Sequence, residues 1–292
     1  MSDRDNLAKR AIPHMTLSNP TTHPVLPSSA YAAPFDSSAG RFAVTGTAIL
    51  TGGTGEIGFA SSRALLQHGL QNLMLFDLAP STDKVDQLRQ EFPQSKIEIL
   101  HVNVADEEDV ARAVDRTIEM FGALNALVCF AGIVGCVHAL DMPIAQWRKV
   151  VDVNTTGSFI CAQAAARKMV AQGTGGRIIF TASISAHRVN YPQPQAAYNA
   201  SKAALVNLKS SLAAEWATYG IMVNSISPGY MDTVLNEGEG LKEARDSWCG
   251  RNPMGRMGLP EEVAGSVVML VSRAGKYING ADIVIDGGGI VF

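Results

Sequence analysis

Short apolar runs alternate with longer amphipathic segments from Thr47 to the end of the chain, and this alternation limits the fold more than any other feature. The runs have the length of strands, and the segments between them place apolar residues three or four positions apart, as helices do. Parallel strands joined by right-handed helical crossovers are covered on both faces of the sheet. The pattern therefore predicts a single-domain α/β fold, a doubly wound parallel sheet of about seven strands with helices on both faces.

The candidate strands are spaced along most of the chain, at 47–51, 72–77, 96–104, 125–132, 176–183, 221–229 and 281–288. The clearest helical patterns between them span 107–122 and 198–220. Residues 1–42 lack this alternation and are rich in Pro, Ser, Thr and Ala, so we predict a flexible or wrapping N-terminal arm there. The folded domain is predicted to span 43–292.

Charge and composition exclude several classes of function. With 24 basic and 27 acidic residues, the chain has a net charge of -3, which argues against a nucleic-acid-binding surface. It has no run of eighteen apolar residues, so we expect no membrane span, and its first ten residues do not resemble a secretory signal. The four cysteines form no CxxC pair and the histidines no ligand cluster. Cys129 and Cys161 lie in apolar runs, which predicts buried free thiols at these two positions. We therefore predict a cytoplasmic protein with no metal site.

A glycine-rich loop, TGGTGEIG at 51–58, follows the first candidate strand and opens a helical pattern. Gly52 permits a tight turn, Gly55 lets a pyrophosphate approach the backbone, and Gly58 lets the helix pack closely on the sheet. The N–H groups at the start of a helix attract phosphates. The loop thus predicts a Rossmann-type dinucleotide site, although a glycine turn with no ligand is the alternative.

Asp77 ends the second candidate strand, about twenty residues beyond the glycine loop. A carboxylate at this position accepts hydrogen bonds from ribose hydroxyls and repels a 2′-phosphate. The glycine loop contains no Arg or Lys, and the nearest basic residue after Asp77 is Lys84. We therefore predict NAD(H) as the favoured cofactor and NADP(H) as a possible one. The alternative is that Asp77 only caps the following helix.

Tyr198 and Lys202 lie four residues apart in a helical pattern, so their side chains share one face. A free tyrosine titrates near ~10, and a nearby ammonium favours the phenolate. The pair is predicted to lower the pKa of Tyr198, so that it exchanges a proton with an alcohol or a carbonyl.

Five segments occur in the order and approximate spacing of the short-chain dehydrogenase/reductase family: TGGTGEIG, VNTTGSF, IIFTAS, YNASK and SPGYMDT. The resemblance covers roughly residues 43–292. Within the family, the C-terminal third of the chain is most similar to fungal polyol and sugar-ketone enzymes. These are sorbose reductases, mannitol 2-dehydrogenases and D-arabinitol 2-dehydrogenases.

The resemblance implies a catalytic set. Tyr198 would carry the proton, and Lys202 would lower its pKa and bind the nicotinamide ribose. Ser183 would hydrogen-bond the substrate oxygen, with Ser185 as the alternative because the spacing to Tyr198 is two residues longer than usual. Asn154 would hold a water that links the lysine to solvent, or would only brace a helix kink.

The resemblance also implies a cofactor-binding set, which comprises Gly52, Gly55, Ile57, Gly58, Asp77, Asn103, Val104, Ala131, Gly132, Tyr198, Lys202, Pro228, Gly229 and Thr233. Three positions depart from the family pattern. Glu56 stands where the common branch has its middle glycine, which gives the loop the TGxxGxxG spacing of the extended branch. Phe130 replaces an asparagine, and Asn103 replaces an aspartate.

The predicted function is an NAD(P)-dependent oxidoreductase that interconverts a secondary alcohol and a ketone, most of all a polyol or sugar ketone. One alternative is a tailoring ketoreductase or dehydrogenase of a fungal-type secondary metabolite, and another is a non-catalytic dinucleotide-binding regulator. An epimerase or dehydratase fits less well, because those enzymes carry a larger substrate domain. A lid over the substrate is expected at 235–258, and a homo-oligomer, tetramer or dimer, is expected by resemblance.

Overall fold

A computed structural model describes residues 13–19, 38–236 and 238–291. The strands are β1 Thr47–Thr51, β2 Asn72–Asp77, β3 Lys96–His101, β4 Ala126–Cys129, β5 Gly176–Thr181, β6 Ile221–Pro228 and β7 Asp282–Ile285. The helices are α1 Ser38–Arg41, α2 Glu56–Gln67, α3 Thr82–Glu91, α4 Glu107–Phe121, α5 Ile144–Val151, α6 Gly157–Gln172, α7 Ala196–Trp216, α8 Lys242–Gly250 and α9 Pro260–Val271. A π-helical turn, Asp152–Thr156, joins α5 to α6.

The strands form one parallel sheet in the order β3-β2-β1-β4-β5-β6-β7. From β1 the chain first adds strands on one side, through β2 to β3. It then returns to the other side of β1 for β4 and the remaining strands. In open parallel sheets, ligands bind beyond the carboxyl ends of the strands at such a reversal. The predicted α/β fold, a Rossmann-type doubly wound parallel sheet, is confirmed.

Neighbouring residues of each central strand pack into two different cores, because successive strand side chains point to opposite faces. Ile49 and Leu127 pack with residues of α4, α6 and α7 on one face. Leu50 and Val128, the next residues along, pack with residues of α2, α3 and α9 on the other face. All four side chains are buried. Both faces of the sheet are therefore covered, as the uninterrupted apolar runs require.

The predicted strands at 47–51 and 72–77 match β1 and β2, whereas the others end sooner than predicted. β4 stops at Cys129 and β5 at Thr181, and the residues beyond them form loops at the carboxyl edge of the sheet. The helix predicted at 107–122 is α4. Asp106 caps its start by accepting a hydrogen bond from Asp109 N at 3.0 Å, and Gly122 ends it with φ +82°.

Most of the arm predicted at 1–42 lies outside the described residues, which omit 1–12 and 20–37. The described core begins at Val44, which is buried and donates its main-chain N–H to His68 O at 2.9 Å. Cys129 and Cys161 are buried free thiols, as predicted, and burial raises the pKa of Cys161 to about 12. Of the described helices, none is long and apolar enough to cross a membrane.

The turn between α6 and β5 tests how closely the backbone of this fold packs. Gly173 and Gly175 have nearly the same positive φ, +69° and +68°. A Cβ on Gly175 would overlap the Gly220 carbonyl oxygen, whereas a Cβ on Gly173 would meet nothing within 4 Å. Gly173→Ala should lower the free energy of unfolding by about 1–2 kcal/mol, and Gly175→Ala by about 1–3 kcal/mol more. Urea unfolding of both variants measures the difference, and equal losses would contradict the packing of this turn.

Candidate functional site

A cleft of about 710 Å³ opens beyond the carboxyl ends of β1, β2 and β4, at the reversal of strand order. Its volume lies in the range that ligand sites usually have. It brings together most of the predicted cofactor residues, namely Gly52, Gly55, Ile57, Gly58, Asp77, Asn103, Val104, Ala131, Gly132 and Thr233. The residues that the structure places at this cleft therefore agree with those that the glycine loop and the resemblance indicated.

The glycine loop forms a cradle that side chains would fill. Gly52 has φ +62° and donates its main-chain N–H to Phe76 O at 2.7 Å. A Cβ on Gly52 would lie 2.8 Å from Ala131 N, and one on Gly58 would lie 2.5 Å from Gly52 O. The loop therefore packs directly on the backbone after β4 and leaves the start of α2 open to the cleft. These residues fit the pyrophosphate of a dinucleotide.

Asp77 holds the glycine loop. Its Oδ2 accepts hydrogen bonds from Thr54 N at 3.0 Å and Thr54 Oγ1 at 2.6 Å, and its Oδ1 accepts from Ala79 N at 3.0 Å. Asp77 does not cap α3, whose N-cap residue is Ser81. Three donors from the protein thus surround the carboxylate that the sequence assigned to the ribose.

Several polar residues that line the cleft were not predicted as binding residues, and two of them contact each other. Thr54 lies in the glycine loop, and Lys84 lies in α3, where its Nζ donates to Thr54 O at 2.7 Å. Thr54 could have been found from its place in the loop. Lys84 is seven residues beyond Asp77 in sequence, and only the turn into α3 brings it back to the cleft.

Glu56, which stands in place of the middle glycine of the loop, contacts Val234, another residue that lines the cleft. Its Oε2 accepts a hydrogen bond from Val234 N at 2.8 Å, and Val234 begins the 3₁₀ turn Val234–Asn236 near the predicted lid. The carboxylate is therefore occupied by a backbone donor 178 residues away in sequence.

The other two departures also line the cleft. Asn103 closes a turn, with Oδ1 accepting from Ala105 N at 3.1 Å, and Phe130 packs its ring against the core. Asn103 therefore shapes the turn after β3 as well as facing the cleft. Phe130 presents an apolar ring to the cleft, where the family pattern has the side-chain amide of an asparagine.

Ser183 and Tyr198, the two residues predicted to act on the substrate oxygen, are called the reactive pair below. The two side chains interact, because Ser183 lowers the pKa of Tyr198. Ser183 Oγ donates a hydrogen bond to Ser185 Oγ at 3.1 Å and accepts one from Ser185 N at 3.1 Å. The preference for Ser183 over Ser185 stays a prediction, since the two side chains are bonded to each other here.

The expected lowering of the Tyr198 pKa by Lys202 is not observed. Burial raises the pKa of Tyr198, and the interaction with Ser183 opposes that rise only in part. Lys202 Nζ lies 5.6 Å from the centre of the Tyr198 ring and donates instead to Thr181 O at 2.6 Å. Burial also lowers the pKa of Lys202, to about 8. Desolvation outweighs the attraction between the two groups, because Lys202 is buried and Tyr198 is half-buried.

Asn154 lies at the centre of the π-helical turn and is fully buried. Its Oδ1 accepts from Ile133 N at 2.8 Å, and its Nδ2 donates to Ile133 O and to Ser201 Oγ, both at 3.0 Å. Both N–H donors of the amide are therefore used within the protein. The bracing interpretation agrees with this geometry, because the side chain ties the loop after β4 to α7.

Gly132 lines the cleft and lies next to two of the predicted catalytic residues, Asn154 and Lys202. A Cβ there would lie 3.3 Å from Asn154 Oδ1 and 3.5 Å from Lys202 Nζ. The predicted site residues outside the described lining of the cleft are Asn154, Ser183, Tyr198, Lys202, Pro228 and Gly229. Gly229 instead packs closely against Asp286, where a Cβ would lie 2.8 Å from that side chain. Within the described ranges, no group of three or more His, Cys, Asp and Glu could hold a metal ion.

Comparisons with known proteins show which reductases and dehydrogenases this chain is similar to. The family model described as enoyl-(acyl carrier protein) reductase matches residues 53–289. A sorbose reductase of Candida albicans is 34% identical over 92% of this chain and 93% of its own length. An NADP-dependent mannitol dehydrogenase of Hypocrea jecorina is 42% identical over 66% of this chain and 71% of its own.

Among solved structures, the NADPH-dependent 3-quinuclidinone reductase of Rhodotorula rubra superposes with a TM-score of 0.81 and 31% identity. The match covers 97% of this chain and 99% of that one. The chain therefore belongs to the short-chain dehydrogenase/reductase family of oxidoreductases.

Proposed function

We propose that this protein interconverts sugar ketones and polyols, with NADP(H) as its cofactor and Tyr198 as its proton carrier. The observation that carries the proposal is the position of the buried Lys202, whose Nζ lies 5.6 Å from the centre of the Tyr198 ring and beside Gly132, a residue that lines the cleft. Cofactor, proton carrier and substrate oxygen would meet where these features adjoin.

The bound dinucleotide would supply the hydride chemistry of the reaction. The glycine loop would hold its pyrophosphate, and Asn154 would keep the loop after β4 in place beside it. In the direction of reduction, Ser183 would donate a hydrogen bond to the carbonyl oxygen, where negative charge develops. Tyr198 would give that oxygen its proton. Its raised pKa keeps Tyr198 protonated at neutral pH, as this role requires.

The substrate class rests on the relatives, among them a sorbose reductase and a mannitol dehydrogenase. The 3-quinuclidinone reductase acts on a cyclic ketone, and its similarity keeps a tailoring ketoreductase as the second candidate. Initial rates with a panel of ketoses and cyclic ketones would separate the two. Preferential reduction of ketoses supports the first proposal.

The cofactor proposal departs from the preference for NAD(H) that Asp77 predicted. Two of the proteins compared are named for NADP or NADPH. The site supports this change, since Asp77 is bonded to Thr54 and Ala79. Lys84 uses one of its three N–H donors on Thr54 O, so an ammonium is available at the adenosine end of the cleft for a 2′-phosphate.

Replacement of Tyr198 by phenylalanine tests the catalytic role. Tyr198→Phe should reduce kcat by about 10²–10⁴-fold, because the proton carrier is lost. The Kd for the dinucleotide, measured by fluorescence titration, should change little. Tyr277→Phe, which alters a fully exposed tyrosine, serves as the matched control. A Tyr198→Phe variant with wild-type turnover would show that the protein uses another acid or is a regulator.

Lys202→Met should raise the free energy of unfolding at pH 7, because it removes a buried charge. The pKa of Lys202 is lowered from 10.5 to about 8, which corresponds to about 3 kcal/mol. Between those two pH values the unfolded chain binds more protons than the folded one, so wild-type stability rises with pH. The difference in the free energy of unfolding between Lys202→Met and wild type should therefore narrow from pH 8 to pH 10.5. Urea unfolding across this range measures that difference, with Lys96→Met as the control. A difference that stays constant with pH would refute the prediction.

Lys84→Gln tests the cofactor assignment. Wild-type protein should bind NADPH more tightly than NADH, and the variant should lose about tenfold in affinity for NADPH alone, because only NADPH carries the 2′-phosphate. Lys96→Gln, at the opposite end of β3 from the cleft, should change neither Kd. Tighter binding of NADH by the wild-type protein, unchanged in Lys84→Gln, would restore the assignment to NAD(H).

A further inference from the structure

Four polar and aromatic side chains form a network that the proposed chemistry does not use. The Tyr230 hydroxyl oxygen accepts hydrogen bonds from Asn190 Nδ2 at 2.9 Å and from Gln193 Nε2 at 3.0 Å. A hydroxyl oxygen has two acceptor positions and one hydrogen. With both acceptor positions occupied, the remaining capacity of Tyr230 is its O–H donor.

Trp248 fixes the direction of this network. The indole N–H can only donate, and it donates to Gln193 Oε1 at 3.1 Å. Because the Gln193 oxygen is held there, its NH₂ group faces Tyr230. The Trp248 ring also stacks on the Tyr230 ring, with centroids 4.2 Å apart and planes within 6°. Trp248 is buried in α8, within the predicted lid.

The network lies beside the reactive pair. Asn190 and Gln193 belong to the loop between Ser183 and Tyr198, and Tyr230 follows β6 directly after Gly229. The main-chain oxygen of Tyr230 accepts from Gly258 N at 2.9 Å, which holds this segment in place. The proximity of Tyr230 also contributes to the raised pKa of Tyr198. The Tyr230 hydroxyl is therefore bonded to the loop that joins Ser183 to Tyr198.

We propose that Tyr230 is a specificity-determining residue, whose O–H donates a hydrogen bond to a substrate oxygen other than the reacting carbonyl. The substrate class that this donor selects is a ketone with a hydroxyl group on a nearby carbon. The positioning residues are Asn190, Gln193 and Trp248. Asn190 and Gln193 donate to the Tyr230 oxygen, and Trp248 holds Gln193 in place, so that Tyr230 can act only as a donor. The inference rests on the proposed function and deepens it.

The physical basis of the selection is the polarity of the pocket. A ketone that carries further hydroxyl groups can accept the Tyr230 hydrogen, whereas a hydrocarbon ketone leaves a polar O–H without a partner. A site built to bond a substrate hydroxyl rejects the analogue that lacks it. Tyr230 therefore favours polyhydroxy ketones over simple ketones of the same length.

The test compares a hexulose with 2-hexanone, which has the same six-carbon skeleton and carbonyl position. Tyr230→Phe removes the donor and keeps the ring that stacks on Trp248. We expect kcat/KM for the hexulose to fall about tenfold relative to kcat/KM for 2-hexanone, which is the effect of one hydrogen bond. The dinucleotide Kd should not change.

Two further variants sharpen the result. Gln193→Glu keeps the Tyr230 hydroxyl but offers it a carboxylate acceptor, and should reproduce the selective loss of the hexulose. Tyr191→Phe removes the same atom from an exposed tyrosine of the same loop, whose ring contacts Arg251 and not this network. It should behave as wild type with both substrates.

A hexulose kcat/KM that is unchanged in Tyr230→Phe would overturn the inference and assign the Tyr230 hydrogen to the buried Asn190 Oδ1, which has no partner here. Equal losses with both substrates would also overturn it, because they would indicate general damage to the pocket. Wild-type protein that reduces no hexulose would instead refute the proposed function, and the inference with it. These outcomes are distinguishable in one set of rate measurements.

Discussion

The close approach of the glycine loop to the backbone after β4 is the contact on which the rest of the site depends. The reversal of strand order brings the ends of β1 and β4 side by side, and only residues without a Cβ permit their loops to touch. Gly52 meets Ala131, and Gly132 in turn meets Asn154 and Lys202. One continuous line of packed residues therefore connects the glycine loop with Lys202, the neighbour of Tyr198. A Cβ on Gly52 would force the glycine loop away from the backbone after β4.

Burial determines the chemistry at the other end of this line. Lys202 is only 4% exposed, and its ammonium is held by a single carbonyl oxygen, Thr181 O. The structure thus keeps a charge where water does not stabilise it, at a cost to the free energy of folding. Such a cost is typical of functional sites. The raised pKa of Tyr198 has the same origin, and it means that this phenol holds its proton more tightly than a free tyrosine does.

Much of this architecture could be predicted from the sequence, because apolar periodicity and glycine spacing are local properties. β1, β2 and α4 follow directly from their patterns. The directions of polar side chains could not be predicted, because they depend on contacts between distant segments. Asp77 bonds to the glycine loop instead of remaining free for a ribose, and Glu56 bonds to Val234. The pKa of Tyr198 was predicted wrongly, because spacing indicates proximity but not desolvation. The lid, the arm, the homo-oligomer and the cytoplasmic location stay predictions.

The central claim is that this fold joins hydride transfer to proton transfer at the carbonyl carbon of a sugar ketone. Deuterium transfer tests it most directly. Wild-type protein is incubated with a ketose and NADPH deuterated at C4 on each face in turn, and the product is analysed by mass spectrometry. The account predicts a polyol with one deuterium on the former carbonyl carbon, from one face only. A polyol without deuterium from either face, or no polyol, would contradict it.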